Sequence, residues 1–225
     1  FKAGETNTNG KYNVFIGLQA GTGNEKGQEN TFVGNNAGRS NTTGNFNTFI
    51  GRRAGYKNTD GRDNTVLGRD AFYENTSGSA NTVLGWRAGY AGTTGNENTI
   101  IGFEAGRNCE GSGNVLIGNK AGFYEEGSDK LYVANSETKT PLLYGDFNVK
   151  CLGVLTTDIP SGYAMAVGGK VIATDVNAKP TNEWPDYVFK SDYDLMPIED
   201  LETFVKENNH LPGIPSAHEV SESGI

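Results

Sequence analysis

The chain has 225 residues, 35% of them apolar, and it carries a formal net charge of −8. Ordinary globular chains are roughly 45–50% apolar, so a single thick core is not expected. The negative charge argues against nucleic acid or an anionic membrane as the main partner. No apolar run approaches the roughly 20 residues that span a bilayer, so direct membrane insertion is not expected either.

A repeat organises the first half of the chain. The pentapeptide Asn-Thr-Phe-Ile-Gly at residues 47–51 has close variants before and after it. Each copy ends in a glycine, with another Gly seven residues before it and an Ala three residues after it. Five successive spacings of these strand-ending glycines are 17 residues and the last is 16: Gly17, Gly34, Gly51, Gly68, Gly85, Gly102 and Gly118. Several positions in phase through seven copies indicate a repeat protein.

The repeat predicts an all-β fold, a parallel β-solenoid or β-roll with eight stacked coils over residues 10–134. A unit of 17 residues is too short for two helices and a turn, and it has no 3.6-residue apolar period. Short strands stacked at about 4.8 Å fit the spacing, with glycines at corners that need a positive φ. The Asn before each strand can satisfy turn backbone groups and form an amide ladder. All seven prolines lie at residue 141 or later, as a stacked sheet would require.

Each strand places two large apolar residues side by side, and neighbours in a strand point to opposite faces. We expect Thr48 and Ile50 to face the inside of the coil and Phe49 to face outward. Self-burial of both faces is the alternative, but a 17-residue coil encloses little volume. An exposed apolar stripe calls for a partner, so we expect a homotrimer around a three-fold axis. The predicted subunit interface is Phe15, Phe32, Phe49, Val66, Val83, Ile100 and Leu116.

The Asn-Thr-Phe-Ile-Gly strands, with their spacer and corner glycine, resemble the head repeats of trimeric autotransporter adhesins of the YadA type. The resemblance covers about residues 4–127 and implies a trimeric left-handed parallel β-roll. The coil is longer here than is typical of that family, and the strand is bulkier.

The rest of the chain resembles the C-terminal part of tail-fibre-like surface proteins of Bacteroidota. That likeness is carried by Lys130–Ser136, Leu142–Phe147, Val167–Ala173, Trp184–Phe189 and His210–Ser216. It implies a surface or tail-like appendage. The self-cleaving chaperone motif found on many phage fibres is not seen.

The predicted organisation has three parts: the solenoid at residues 1–134, a β-rich connector or knob at 135–180, and a C-terminal segment at 181–225. The last part holds a helix at about 197–208, started by Pro197 and two acidic residues. The connector is expected to register the trimer, because a solenoid cannot cap its own end. Its short strands are expected near Leu142–Tyr144, Cys151–Thr156, Tyr163–Val167 and Lys170–Val176.

A candidate ligand strip lies five residues after each strand-ending glycine. Tyrosines at three successive steps would stack at sheet spacing, and flanking arginines could make cation–π contacts. A purely self-stabilising stack is the alternative to a surface for a glycan or a protein receptor. The strip comprises Arg39, Tyr56, Tyr73, Tyr90, Arg107 and Phe123, extended by Trp86 and Phe103.

Enzyme signatures are missing: the sequence has no GxSxG, HExxH, Walker or dinucleotide motif. Its two histidines, His210 and His218, lie in or beside Pro-rich turns, where a helix C-cap role is favoured over catalysis. Cys109 and Cys151 are too few for a disulfide framework, and neither metal nor cofactor is expected. The leading hypothesis is a non-enzymatic, extracellular structural or adhesive fibre segment. The alternatives are an ice- or mineral-binding solenoid, suggested by a file of threonines, and a polysaccharide-degrading solenoid.

Overall fold

The computed structural model describes residues 2–175, 193–194, 196–214 and 216–218. The chain divides into two compact units, Phe1–Val171 and Ile172–Ile225. The first unit is all-β, and the second contains an α-helix.

A parallel β-solenoid forms the larger unit, as the repeat predicts. Its three-residue strands lie one per coil, and each pairs in parallel with the next, so that Thr48 lies between Thr31 and Thr65. The strand-ending glycines therefore stack in register. The coil strands are β1 Val14–Ile16, β2 Thr31–Val33, β3 Thr48–Ile50, β4 Thr65–Leu67, β5 Thr82–Leu84, β6 Thr99–Ile101, β7 Val115–Ile117 and β8 Lys130–Val133.

Three further strands extend the same sheet beyond the coils: β9 Leu143–Asp146, β10 Cys151–Val154 and β11 Met165–Val167. β9 is antiparallel to both of its neighbours, and β11 returns parallel to β10. The compact unit runs through them to Val171, so the structure does not separate a small β-rich domain from the solenoid. The strand predicted at 170–176 is not formed over 170–175, and Val176 lies outside the described residues.

The predicted orientation of the strands is wrong. Phe49 is fully buried within its own chain, whereas Ile50 is 37% exposed. The rings of Phe32 and Phe49 stack at 5.0 Å inside the coil, packed against the buried corner alanines. The set predicted as subunit interface is therefore the solenoid's own core and is not available to a partner: Phe15, which is partly buried, and the buried Phe32, Phe49, Val66, Val83, Ile100 and Leu116.

A corner glycine makes room for these side chains in every coil from β1 to β7 except that of β4. Gly55 has a φ of +55°, and a Cβ there would lie 2.5 Å from the Phe49 ring. In the next coil the equivalent position is Phe72, which is buried, and the strand centre is the smaller Val66. The aromatic ring thus moves from the strand to the corner, and the interior stays filled.

Two files of buried asparagines close the turns. The side chain of the Asn before each strand accepts a backbone N–H from the next coil and donates to a glycine carbonyl. At Asn47, Oδ1 accepts from the N–H of Asn64 at 3.1 Å, and Nδ2 donates to the carbonyl of Gly61 at 2.8 Å. A second file runs through Asn24 and Asn41, whose amides are linked at 2.7 Å. These bonds satisfy turn groups that would otherwise be costly to bury, as the amide ladder predicted.

The smaller unit contains α1, Ile198–Asn208, close to its predicted bounds. Pro197 is its N-cap, and Asn209 in the left-handed conformation is its C-cap. The C-cap role expected of histidine is therefore filled by Asn209, and the His210 ring packs edge-on against Phe204 at 5.7 Å. Trp184–Phe189 lies outside the described residues. In the part of the chain that the structure describes, no helix has the length and apolar character needed to cross a membrane.

Candidate functional site

The outward face of the sheet carries one aliphatic side chain per strand, aligned through every strand pairing from β1 to β11. We call this row the aliphatic file. It consists of Ile16, Val33, Ile50, Leu67, Leu84, Ile101, Ile117, Val133, Leu143, Val154 and Val167.

Six members of the aliphatic file are exposed in the single chain, and the other five are half-buried. Leu67 is 45% exposed, Leu84 38% and Ile117 38%. Ten inter-strand steps of about 4.8 Å make the file about 48 Å long. A continuous exposed apolar stripe of this length is typical of an interaction surface.

A threonine file lies beside the aliphatic file on the same face. Its members occupy the first position of each strand, two residues before the aliphatic position: Thr31, Thr48, Thr65, Thr82 and Thr99. The prediction that these threonines face the interior is wrong for the same reason as for Phe49. The outward face thus alternates a row of hydroxyls with a row of aliphatic side chains.

The predicted aromatic strip is assembled at the corner that follows the strands. Tyr56 and Tyr73 stack at 4.8 Å with their planes 1° apart, and Tyr73 and Tyr90 stack at 5.2 Å. Arg39 lies over Tyr56 at 5.6 Å, and Arg107 lies over Tyr90 at 5.5 Å. Burial raises the pKa of the Tyr73 phenol, and the neighbouring Tyr56 raises it further.

Stacking restricts what these rings can bind. The faces of Tyr73 are covered by Tyr56 and Tyr90, and arginines cover the ends of the stack. A sugar ring cannot lie flat on a face that is already covered. The strip therefore offers ring edges, hydroxyls and guanidinium groups, and the stack itself stabilises the coils.

Trp86 and Phe103 form a second aromatic pair at the same corner, with centroids 4.8 Å apart. The guanidinium of Arg87 lies 4.5 Å from the Trp86 ring centroid and 5.5 Å from that of Tyr90. Arg107 also lies over Phe123, at 5.6 Å. The structure thus joins all eight residues of the predicted strip into one surface.

No family model matches the chain, and neither a curated protein nor a solved structure matches it. The likeness to adhesin heads and to tail-fibre-like proteins therefore stays a prediction from sequence motifs.

Groups with catalytic chemistry are dispersed. Within residues 2–175 and the described parts of the second unit, no three His, Cys, Asp or Glu side chains group together to hold a metal ion. Cys109 and Cys151 are free thiols. Burial raises the pKa of Cys109 to about 11, so its thiol is protonated at neutral pH and poorly nucleophilic.

Sequence reasoning missed the aliphatic file and four of the arginines beside the aromatic strip, Arg52, Arg53, Arg69 and Arg87. The signal for the file was present, because every strand from Val14–Ile16 to Met165–Val167 has an aliphatic residue at its matching position. From the sequence alone, Ile50 and its equivalents in the coils are expected to face the interior. These four arginines were missed because they lie one or two residues after a strand-ending glycine, away from the position of the strip.

Proposed function

We propose that this chain is a non-enzymatic structural and adhesive segment of an extracellular fibre, whose copies associate as a trimer through the aliphatic file. The observation that carries the proposal is the alignment of eleven aliphatic side chains on one exposed sheet face. The file continues through β9 to β11, where the coil repeat has already ended. The file residues stay in register from the coils into β9–β11, which fits one continuous contact along the fibre.

Burial of the aliphatic file favours association of the copies. Fully burying a Val, Leu or Ile side chain contributes about 1.5–3 kcal/mol. Each of the six exposed members retains about 1 kcal/mol and the five half-buried members less, so the file offers on the order of 5–10 kcal/mol. Copies of the same chain are the most economical cover, because their files have the same length and strand spacing.

Paired variants test the interface. We expect Ile50→Asp with Leu84→Asp to yield folded monomers, because two charges would enter a dry contact without partners. Ser77→Asp with Thr43→Asp adds the same charge at exposed turn positions and should leave the assembly intact.

Sedimentation velocity of wild type and both pairs gives the masses, and circular dichroism checks the fold. If the double variant Ile50→Asp, Leu84→Asp has the same mass as the wild type, the aliphatic file is not the interface.

Ice or mineral binding is the second candidate function. It is favoured by one observation, the outward orientation of the threonine file, whose hydroxyls repeat at the regular strand spacing of about 4.8 Å. A rigid, flat row of hydroxyls and methyl groups can match a repeating crystal surface only where no partner chain covers it.

Thermal hysteresis separates the two functions, because both use the same face. A fibre interface predicts no hysteresis in the assembled protein. Hysteresis that disappears in Thr65→Ala with Thr82→Ala, in a chain that is monomeric, would support the second function.

A further inference from the structure

The arginines of this acidic chain are concentrated at one place. The chain has seven, and six of them lie at the corner after the strand in five successive coils: Arg39, Arg52, Arg53, Arg69, Arg87 and Arg107. We call this corner, with the tyrosines among them, the arginine–tyrosine edge. The seventh, Arg62, lies in another turn of the coil.

Contacts show that the edge is one continuous surface. Asp70 lies 3.8 Å from Arg53 Nη1 and 3.2 Å from Arg69 Nε. Arg52 lies one coil before Arg69, and the Arg52 carbonyl accepts the backbone N–H of Asp70 at 2.8 Å. The guanidinium of Arg53 also acts electrostatically on Tyr73, which connects this group to the tyrosine stack.

In the next two coils, Arg87 and Arg107 form a second group of arginines around one carboxylate. Glu104 lies 3.8 Å from Arg87 Nη1 and 3.5 Å from Arg107 Nε. Both arginines also lie over Tyr90, so the second group meets the tyrosine stack at its other end.

Charge at the edge is not balanced among the residues that the structure describes. Of these, two carboxylates, Asp70 and Glu104, lie within 4 Å of the six guanidinium groups, which leaves a surplus of four positive charges. The side chain of Arg69 is 57% exposed, and Arg52 is also exposed. The remaining positive charge lies on the surface of a chain whose net charge is −8, and it fits an anionic partner.

We propose that the arginine–tyrosine edge binds an acidic polysaccharide laid along the solenoid axis; this ligand class rests on the proposed adhesive role. Guanidinium groups form paired hydrogen bonds with carboxylate and sulfate oxygens. The five coils place these groups over about 20 Å, which suits an extended chain with repeating charges. The phenol hydroxyls and ring edges between them supply contacts for sugar hydroxyls.

Binding is measured with the full chain by biolayer interferometry on immobilised dextran sulfate, polygalacturonate and unmodified dextran. We expect binding to the two anionic polymers, weakened by added salt, and none to dextran. Arg52→Gln with Arg69→Gln should weaken binding to dextran sulfate by about tenfold, because two charge-assisted contacts are lost. Arg62→Gln with Lys26→Gln removes the same charge elsewhere and should change it less than about twofold.

Equal losses in the two double variants, or wild-type binding to dextran as strong as to dextran sulfate, would overturn the proposal. Double-stranded DNA is run in parallel, and DNA binding as tight as dextran sulfate binding would overturn the choice of a polysaccharide. Light scattering on the same samples keeps the result separate from the fibre proposal, since assembly through the aliphatic file does not involve Arg52 or Arg69.

Discussion

Truncation of Phe49 to alanine tests which side of the strand forms the core. The Phe49 side chain is fully buried, its ring stacks on Phe32 at 5.0 Å with planes 8° apart, and its far edge fills the space beside Gly55. Removing a buried Phe ring costs about 3–5 kcal/mol, the loss of burial plus the cavity left behind. The packed coils on both sides limit collapse, so we expect about 4 kcal/mol.

Ile50→Ala is the matched comparison at the adjacent residue. Ile50 is 37% exposed in the single chain, so its truncation should cost the isolated chain about 1 kcal/mol. The cost should rise with protein concentration, because only an assembled chain buries this side chain fully. The effect of Phe49→Ala should be nearly independent of concentration.

Urea denaturation followed by circular dichroism at a low and a high protein concentration provides the measurement. If Ile50→Ala lowers stability as much as Phe49→Ala at the low concentration, where chains are apart, then Phe49 does not face the core and Ile50 does not face outward.

Three further predictions concern the coil itself. Gly55→Phe should strongly lower the urea midpoint of the chain. Adding Phe49→Val should recover much of the loss, because the following coil has the same combination, Phe72 with Val66. A double-mutant cycle without coupling would refute the exchange of ring positions. Asn47→Ala should lower the free energy of unfolding in urea by about 2–3 kcal/mol, because it leaves buried backbone groups unpaired. Asn75→Ala should lower it less, because the Asn75 amide has no hydrogen-bond partner. A hydrogen bond from Lys130 lowers the pKa of Asp146 below its ordinary value. The stability from this pair is therefore present above the ordinary pKa and is lost as pH falls through the lower folded pKa, and Asp146→Asn should remove this part of an acid titration followed by circular dichroism.

Much of the fold is predictable because the repeat constrains it. A 17-residue period with glycines in phase leaves few architectures, and the strand register follows directly from the spacing. Helix α1 is predictable as well, because Pro197 and the acidic first turn mark its start and a run of polar residues marks its end.

The inside and outside of the strand could not be read from periodicity, because both faces of Thr48–Ile50 include a large apolar side chain. A 17-residue coil encloses little volume, but its corners approach the strand closely enough for one large side chain per strand to fill it. A usable signal existed in the corner glycine, which becomes Phe72 in the coil where the strand centre shrinks to Val66. Such an exchange of volume between two positions places both of them in one interior.

The candidate surfaces depend on that orientation. Once Phe49 is inside, the aliphatic and threonine files are outside, and the predicted seam moves by one residue in every strand. The aromatic strip was predictable because six of its members recur five residues after a strand-ending glycine, and Trp86 and Phe103 directly follow such a glycine. The other four arginines, Arg52, Arg53, Arg69 and Arg87, lie beside the strip only because of the shape of the corner.

The mass of the wild-type chain in solution tests the central claim most directly. Each chain has a mass of 24.1 kDa, so a trimer closed through the aliphatic file should give three times that value, about 72 kDa, in multi-angle light scattering. A value near 24 kDa at every concentration up to that of a concentrated stock would show that the aliphatic file remains exposed, and would contradict the proposed fibre assembly.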